Sequence, residues 1–293
     1  VHTYNATLNS FTKFSGGQGT EEMLVTDVFT AGKLKEYEAW LRSRNASWNT
    51  VSTYMRVLKA VYNRLVEAKR LTYDARLFDS VYTKVEAQSK RSLTEEQMNT
   101  LLRTDFEKLP EDVQNVLAYF LLMFLFRGMP FIDMAYLRKQ DLKEHCITYC
   151  RHKTGKKMVV RIPHEATALF EKCRNKKTDS GYLFPILDET TENEKKLYEN
   201  YRQALRTFNR KLAKMAALLL PGTNISSYTA RHTWATLAFY SGIPIGIISK
   251  ALGHSSIKVT ETYLKPFENE KVDAANDELI MSVVKRSKEK IVA

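Results

Sequence analysis

Three short strings in the last quarter of the chain gather side chains that can do chemistry. Ser227-Tyr228-Thr229-Ala230-Arg231-His232-Thr233-Trp234-Ala235-Thr236 holds a phenol, a guanidinium and an imidazole, Leu252-Gly253-His254-Ser255-Ser256 a second imidazole, and Thr260-Glu261-Thr262-Tyr263 a second phenol. His254 follows Arg231 by 23 residues and Tyr263 follows His254 by 9. An arginine stays protonated and offers a planar fork of donors that suits an oxyanion. A histidine gives or takes a proton, or donates a hydrogen bond, according to its protonation state. A tyrosine becomes a nucleophile once nearby cations favour its phenolate.

Together these strings resemble the C-terminal signature of the tyrosine recombinase family, the lambda-type phage integrases and their relatives, over roughly residues 30 to 270. In that family an Arg opens the box, a His or Trp follows about two dozen residues later in an L-G-H motif, and the nucleophilic Tyr comes nine residues after that. The resemblance implies Tyr263 as nucleophile, with Arg231 and His254 around the reacting phosphate. It also assigns Lys153, in His152-Lys153-Thr154-Gly155-Lys156, to the hairpin lysine that acts as general acid, with Lys156 and Lys157 as rivals.

Two positions depart from the family pattern. Members usually read G-x-R-x-x-E/D with a Leu four residues after the acid. Gly128-Met129-Pro130-Phe131-Ile132-Asp133 followed by Leu137 aligns without a gap and puts Pro130 at the Arg position. Arg127 stands three residues earlier, within ~10 Å of chain, and is expected to substitute; the alternative is a helix C-terminal charge favoured by the dipole. Tyr228 stands where the family's H-x-x-R motif has His. A phenol with a pKa near ~10 is a poor proton shuttle, so Tyr228 is expected to orient a neighbour or bind phosphate. His232 is the fallback, although a helix turns it about 100° from Arg231. Integrases of Bacteroides-type mobile elements are similar in their R-G-M-x-F-x-D and Y-x-A-R-H strings.

The implied reaction is site-specific cleavage and rejoining of DNA through a 3′-phosphotyrosyl intermediate, for integration and excision of a mobile element. Fixed cations around the non-bridging oxygens would stabilise the charge that builds at phosphorus. The ester keeps the energy of the broken phosphodiester, so no nucleotide cofactor is needed, and no P-loop, paired-carboxylate metal site or dinucleotide fingerprint is present in the sequence. The resemblance further implies double-stranded DNA with specific recombination sites as partner, a homotetramer on that DNA, and accessory DNA-bending proteins. A type IB topoisomerase-like relaxing enzyme and a catalytically decayed DNA-binding protein are the alternative readings.

The elements that must position these residues are mainly helical, with a small β-hairpin or sheet, an α+β chain. The resemblance implies a helical SAM-like core-binding domain over residues 1–87, a linker at 88–91, and a catalytic domain over 92–293 that ends in an exchange helix. The opening stretch to about Thr30 is polar, and Ser15-Gly16-Gly17-Gln18-Gly19 forms a turn or flexible segment. Leu34, Tyr37, Trp40 and Leu41 then recur at helical spacing, as do Val51, Tyr54, Leu58, Val61, Tyr62 and Leu65, with Asn49 and Thr50 as polar caps for the second helix. Arg56, Lys59, Arg64 and Lys69 leave the other side of that helix basic, either a solvated face or one that tracks a DNA backbone.

In the second domain, Thr94 and Gln97 have capping-box spacing. A buried helix spans about Val113–Phe126, with Gly128 as its stop and Pro130 opening the next. Cys146–Cys150 and Met158–Ile162 form a hairpin through Lys153–Lys156. After Tyr263, an apolar stripe of Ala274, Leu279, Ile280, Val283 and Val284 is expected to dock on a neighbouring protomer, with Pro266 as the point beyond which it can be cut away.

Bulk properties agree with this reading. A net charge of +12 over 293 residues favours a polyanionic partner, because each cation that meets a phosphate releases a condensed counterion. Cys146, Cys150 and Cys173 are an odd count without metal-ligand spacing, so reduced thiols are expected. The most apolar run, Val116–Phe126, is shorter than the ~20 residues of a spanning helix, so a cytoplasmic, nucleoid-associated bacterial protein is expected.

Overall fold

A computed structural model describes residues 2–16, 24–84, 92–188, 193–264, 272–281 and 284. The chain divides into two compact units, residues 1–89 and 90–293. The linker expected at 88–91 lies outside the described residues. The architecture is mainly helical with one small sheet, as the sequence leads one to expect.

The first unit contains α1 (His2–Phe14), α2 (Val25–Val28), α3 (Ala31–Ser43) and α4 (Trp48–Glu67). The polar opening stretch thus begins with a helix: Thr7 and Phe11 are buried, and the Phe11 and Phe14 rings lie 5.0 and 5.2 Å from Tyr37 of α3. Ser47, not Asn49 or Thr50, caps α4 by accepting the Thr50 N–H, so the helix begins at Trp48. Val51, Met55, Leu58 and Tyr62 form its buried stripe. Arg56, Lys59, Arg64 and Lys69 are all exposed.

The second unit begins with α5 (Glu95–Leu102), where Thr94 and Gln97 make both bonds of the capping box. The apolar α6 (Glu111–Leu125) is the centre of the core, followed by α7 (Phe131–Tyr136). Between them Arg127 and Gly128 adopt left-handed φ values of 59° and 67°. Pro130, whose missing N–H costs nothing at a helix start, is the N-cap of α7. Strands β1 (Leu142–Lys143), β2 (Cys146–Cys150) and β3 (Lys157–Arg161) form an antiparallel sheet in that order, with Cys146 opposite Arg161 and Cys150 opposite Lys157. Helices α8 (His164–Cys173), α9 (Glu194–Leu219), α10 (Thr229–Tyr240), α11 (Ile245–Leu252) and α12 (Ile257–Glu261) follow the sheet. Phe208 of α9 stacks on Phe131 of α7 at 4.3 Å, which ties α7 to the core.

Residues 272–281 are helical, and Ala274, Leu279, Ile280 and Val284 are exposed. Val283 and Pro266 lie outside the described residues, as do Gly17, Gln18 and Gly19. No described helix is long and apolar enough to cross a membrane.

Candidate active site

The site forms where α10, the end of α11, the β2–β3 turn and the α6–α7 turn meet. Arg231 lies in the first turn of α10 and is 3% exposed. Its Nη1 donates to the Gly128 carbonyl at 2.9 Å, and its Nη2 to the Leu252 carbonyl and to His254 Nε2, the latter at 3.0 Å. Among the described residues its buried Nε–H has no partner. A buried guanidinium with an unpaired N–H is the kind of donor an incoming oxyanion satisfies.

Close approach makes this possible. A Cβ on Gly128 would stand 2.9 Å from the Arg231 Cα, so only glycine lets the α6–α7 turn lie against the start of α10. Gly253, at φ 66°, ends α11 in the left-handed conformation, and a Cβ there would stand 2.8 Å from the Arg151 Cδ.

Arg151 is the residue that sequence reasoning missed. It immediately follows β2, is 7% exposed, and donates from Nε to the buried Asp133 carboxylate at 3.3 Å. Its Nη1 donates to the carbonyls of Leu252 and Gly253 at 3.1 and 3.3 Å. Asp133 also accepts the His152 N–H at 2.9 Å. Two guanidinium groups therefore share the Leu252 carbonyl oxygen. Burial, and then the Arg151 charge, lower the proton affinity of Arg231. Two adjacent buried cations with one carboxylate between them leave positive charge for an anion to offset. Asp133 carried the signal that was available, since a buried carboxylate asks for a cationic partner.

Arg127 sits elsewhere. Its guanidinium is exposed, and among the described contacts it reaches the Val159 carbonyl at 3.4 Å and no member of the Arg231–His254–Tyr263 group.

His254 follows the left-handed Gly253 and is 7% exposed. Because a guanidinium only donates, Nε2 accepts from Arg231; the proton is then on Nδ1, which donates to Thr260 Oγ1 at 2.9 Å. Burial first, then the charges of Arg231, Arg151, Lys156 and Lys153, push the imidazole down to about 4. It is neutral at pH 7, with the Nε2 lone pair engaged by the Arg231 N–H. The two candidate lysines are both exposed in the β2–β3 turn, and Lys156 Nζ donates to the His254 carbonyl at 3.1 Å.

Tyr263 lies just past α12. Its ring is 4.7 Å from that of His254 and 5.6 Å from the Arg231 guanidinium carbon. His232 stacks on it at 4.7 Å and 27°. Tyr228, half exposed as the N-cap of α10, makes no side-chain cap bond; burial of its hydroxyl, and then the Tyr263 charge, raise its pKa. The structure therefore brings Arg231, His254 and Tyr263 together. Tyr228 and the lysines border them, and Arg127 stands outside. Arg56, Lys59, Arg64 and Lys69 belong to the other unit. Among the described residues, no group of three or more His, Cys, Asp or Glu could hold a metal ion.

Comparison with known proteins places this geometry in a family. Residues 1–76 match the phage integrase SAM-like domain. Tyrosine recombinase XerA of Pyrococcus furiosus is 26% identical over 243 residues, covering 80% of this chain and 76% of that protein. Transposase B from transposon Tn554 of Staphylococcus aureus is 28% identical over 257 residues, 80% of this chain but 38% of the relative. The fold is shared with a lambda integrase dimer bound to a COC′ core site (TM-score 0.63, 14% identity, covering 89% of this chain and 86% of that one). It is also shared with the Tn1549 transposon integrase in complex with a circular intermediate DNA (TM-score 0.62, 17% identity, covering 90% and 89%). Residues 91–270, more than half of the 293, match the phage integrase family, and the chain belongs to that family of tyrosine recombinases.

Proposed function

We propose that the chain cleaves and rejoins double-stranded DNA at specific sites, with Tyr263 as nucleophile, in the integration and excision of a mobile element. The observation that carries this reading is the convergence of two buried guanidinium groups, Arg151 and Arg231, and the neutral His254 beside Tyr263. The guanidinium donors take the non-bridging oxygens of the scissile phosphate, where charge builds in the transition state. As the Tyr263 oxygen bonds to phosphorus, its proton passes to His254 Nε2, whose lone pair is released when Arg231 Nη2 turns to the phosphate oxygen. The bond from phosphorus to the 5′-oxygen breaks, and the departing 5′-oxygen takes a proton from Lys153 or Lys156. Attack by a 5′-hydroxyl of another strand reverses these steps and completes ligation.

Arg151 takes the place in this site that sequence reasoning gave to Arg127, and Tyr228 borders the phosphate as an orienting group. Residues 1–87 form the core-binding domain, 92–293 the catalytic domain, and Arg56, Lys59, Arg64 and Lys69 lie along the DNA backbone. Lambda integrase has been seen as a dimer on a core site and as a tetramer on a Holliday junction. By analogy this chain assembles as a tetramer on two sites, its exposed stripe of Leu279, Ile280 and Val284 covered by a neighbouring protomer. It acts on the DNA of the bacterial nucleoid, with accessory bending proteins shaping the sites.

The test is covalent capture on nicked duplexes with a randomised core. Protein-linked DNA that survives denaturation, with the phosphotyrosyl peptide containing Tyr263, is the expected result. No adduct, or an adduct persisting in Tyr263→Phe, would refute the reading.

A further inference from the structure

We infer that His232 is a positioning residue for the nucleophile: it clamps Tyr263 by a ring stack and a main-chain contact while staying out of the phosphate pocket. The inference rests on the recombinase reading above and assigns a group that reading leaves unused. Tyr263 needs such a clamp because it lies beyond the end of α12, held in the main chain by a bond from its N–H to the Thr260 carbonyl at 2.8 Å. A half-buried phenol just past a short helix could otherwise sample several rotamers, and each unproductive one delays attack.

The site supplies two flat walls. His254 stands on the ring at 4.7 Å and 36°, and His232 stacks on it at 4.7 Å and 27°. His232 Nδ1 lies 3.4 Å from the Tyr263 carbonyl, and since a carbonyl only accepts, that contact places a proton on Nδ1. The next residue, Leu264, is buried with Ala235, Ala238, Ile248 and Leu252, so the ring, the main chain and the following side chain are all fixed against α10 and α11. The turn of about 100° between neighbours on a helix explains the division of labour. Arg231 faces Gly128, Leu252 and His254, and His232 faces Tyr263.

The experiment separates the step in which Tyr263 attacks from one in which it does not. In the first assay, His232→Leu, His232→Phe and His232→Asn are scored for adduct formation on the captured site. In the second, each change is placed in a Tyr263→Phe background and scored for ligation of an oligonucleotide bearing a 3′-p-nitrophenyl phosphate. There a 5′-hydroxyl bonds to phosphorus and nitrophenolate leaves, so the phosphate pocket works without the tyrosine oxygen. Adduct formation is expected to fall roughly 100-fold in His232→Leu, the scale of ångström misplacement, and to recover largely in His232→Phe, which keeps the flat ring. Ligation is expected to match that of Tyr263→Phe alone. Equal losses in both assays, or an undiminished adduct in His232→Leu, would overturn the assignment. If His232→Leu does not fold, the Phe and Asn variants decide, with Asn no worse than Phe counting against the stack. A wild-type chain that forms no adduct but ligates the activated end would instead sink the reading of Tyr263 on which the inference rests.

Discussion

Replacing Arg151 with methionine and Asp133 with asparagine in one chain separates what this buried pair does for stability from what its cation does for DNA cleavage. Arg151→Ala alone cannot separate them. It would strand the Asp133 carboxylate, whose side chain is 0% exposed, and removing one partner of a buried pair costs about 3–5 kcal/mol. The double change removes both charges, fills a similar volume, and keeps an amide oxygen at position 133 for the His152 N–H. Its stability should then fall within ~1 kcal/mol of wild type, because exchanging a whole buried pair for a packed neutral one is close to neutral. Cleavage should still drop by ~100-fold or more, the effect of losing one preorganised donor to the transition state. The assay is single-turnover adduct formation on a nicked duplex, beside urea unfolding of the same samples. Arg127→Ala is the control: an exposed guanidinium with one long contact should matter less than ~10-fold. Normal cleavage by the double variant, or a larger loss in Arg127→Ala, would refute the placement of Arg151 at the phosphate.

Three further outcomes follow from the same geometry. His254 is held down to about 4 in the folded chain, so the unfolded state takes up a proton first as pH falls from about 6.5; stability should be full above that range and decline by at most ~3 kcal/mol towards pH 4, a slope His254→Gln flattens in urea titrations. Gly253→Ala should cost ~1–2 kcal/mol for its left-handed backbone and, by crowding the Arg151 Cδ, slow adduct formation more than it weakens DNA binding in a gel-shift titration. Ending the chain after Leu264 should leave single-site binding intact and abolish pairing of two sites, read by native gel; equal loss of both would count against docking of the apolar stripe on a neighbour.

How far the sequence carried the fold depended on the length and contrast of each pattern. Helix α4 was legible because its apolar positions repeat over twenty residues, and the Thr94–Gln97 box because its two side-chain bonds are local. Helix α1 was not, since Thr7, Phe11 and Phe14 make too short a stripe in a polar stretch; its burial depends on Tyr37, more than twenty residues away. Within the site, Arg231, His254 and Tyr263 were singled out by a family resemblance that their spacing carries, and the structure places them together. Arg151 was not, because nothing local distinguishes it from the cations that follow it in the turn at Lys153 and Lys156. Its burial is set by Asp133 and by the carbonyls of Leu252 and Gly253, about a hundred residues on. The helical turn correctly set His232 apart from Arg231, but its partner Tyr263 could be found only in three dimensions.

Pro130 and Arg151 are best understood as one arrangement. An arginine at position 130 would enter the site from the start of α7, three residues before Asp133. Proline there suits a helix start, where its missing N–H costs nothing, but it brings no charge and would leave a carboxylate buried at Asp133 with no cation from its own segment. Arg151 supplies that cation from the β2–β3 turn, and its long side chain reaches on to the Leu252 carbonyl that Arg231 also binds. That path passes over residue 253, where a side chain would collide with it, so the glycine of the L-G-H string has two reasons to be there. It ends α11 in a left-handed turn that aims His254 at Arg231, and it leaves the gap through which Arg151 arrives. The acid, the glycine and the two arginines are thus mutually dependent, and under the proposed function the β2–β3 turn brings, through Arg151, the charge that position 130 lacks, without opening the core.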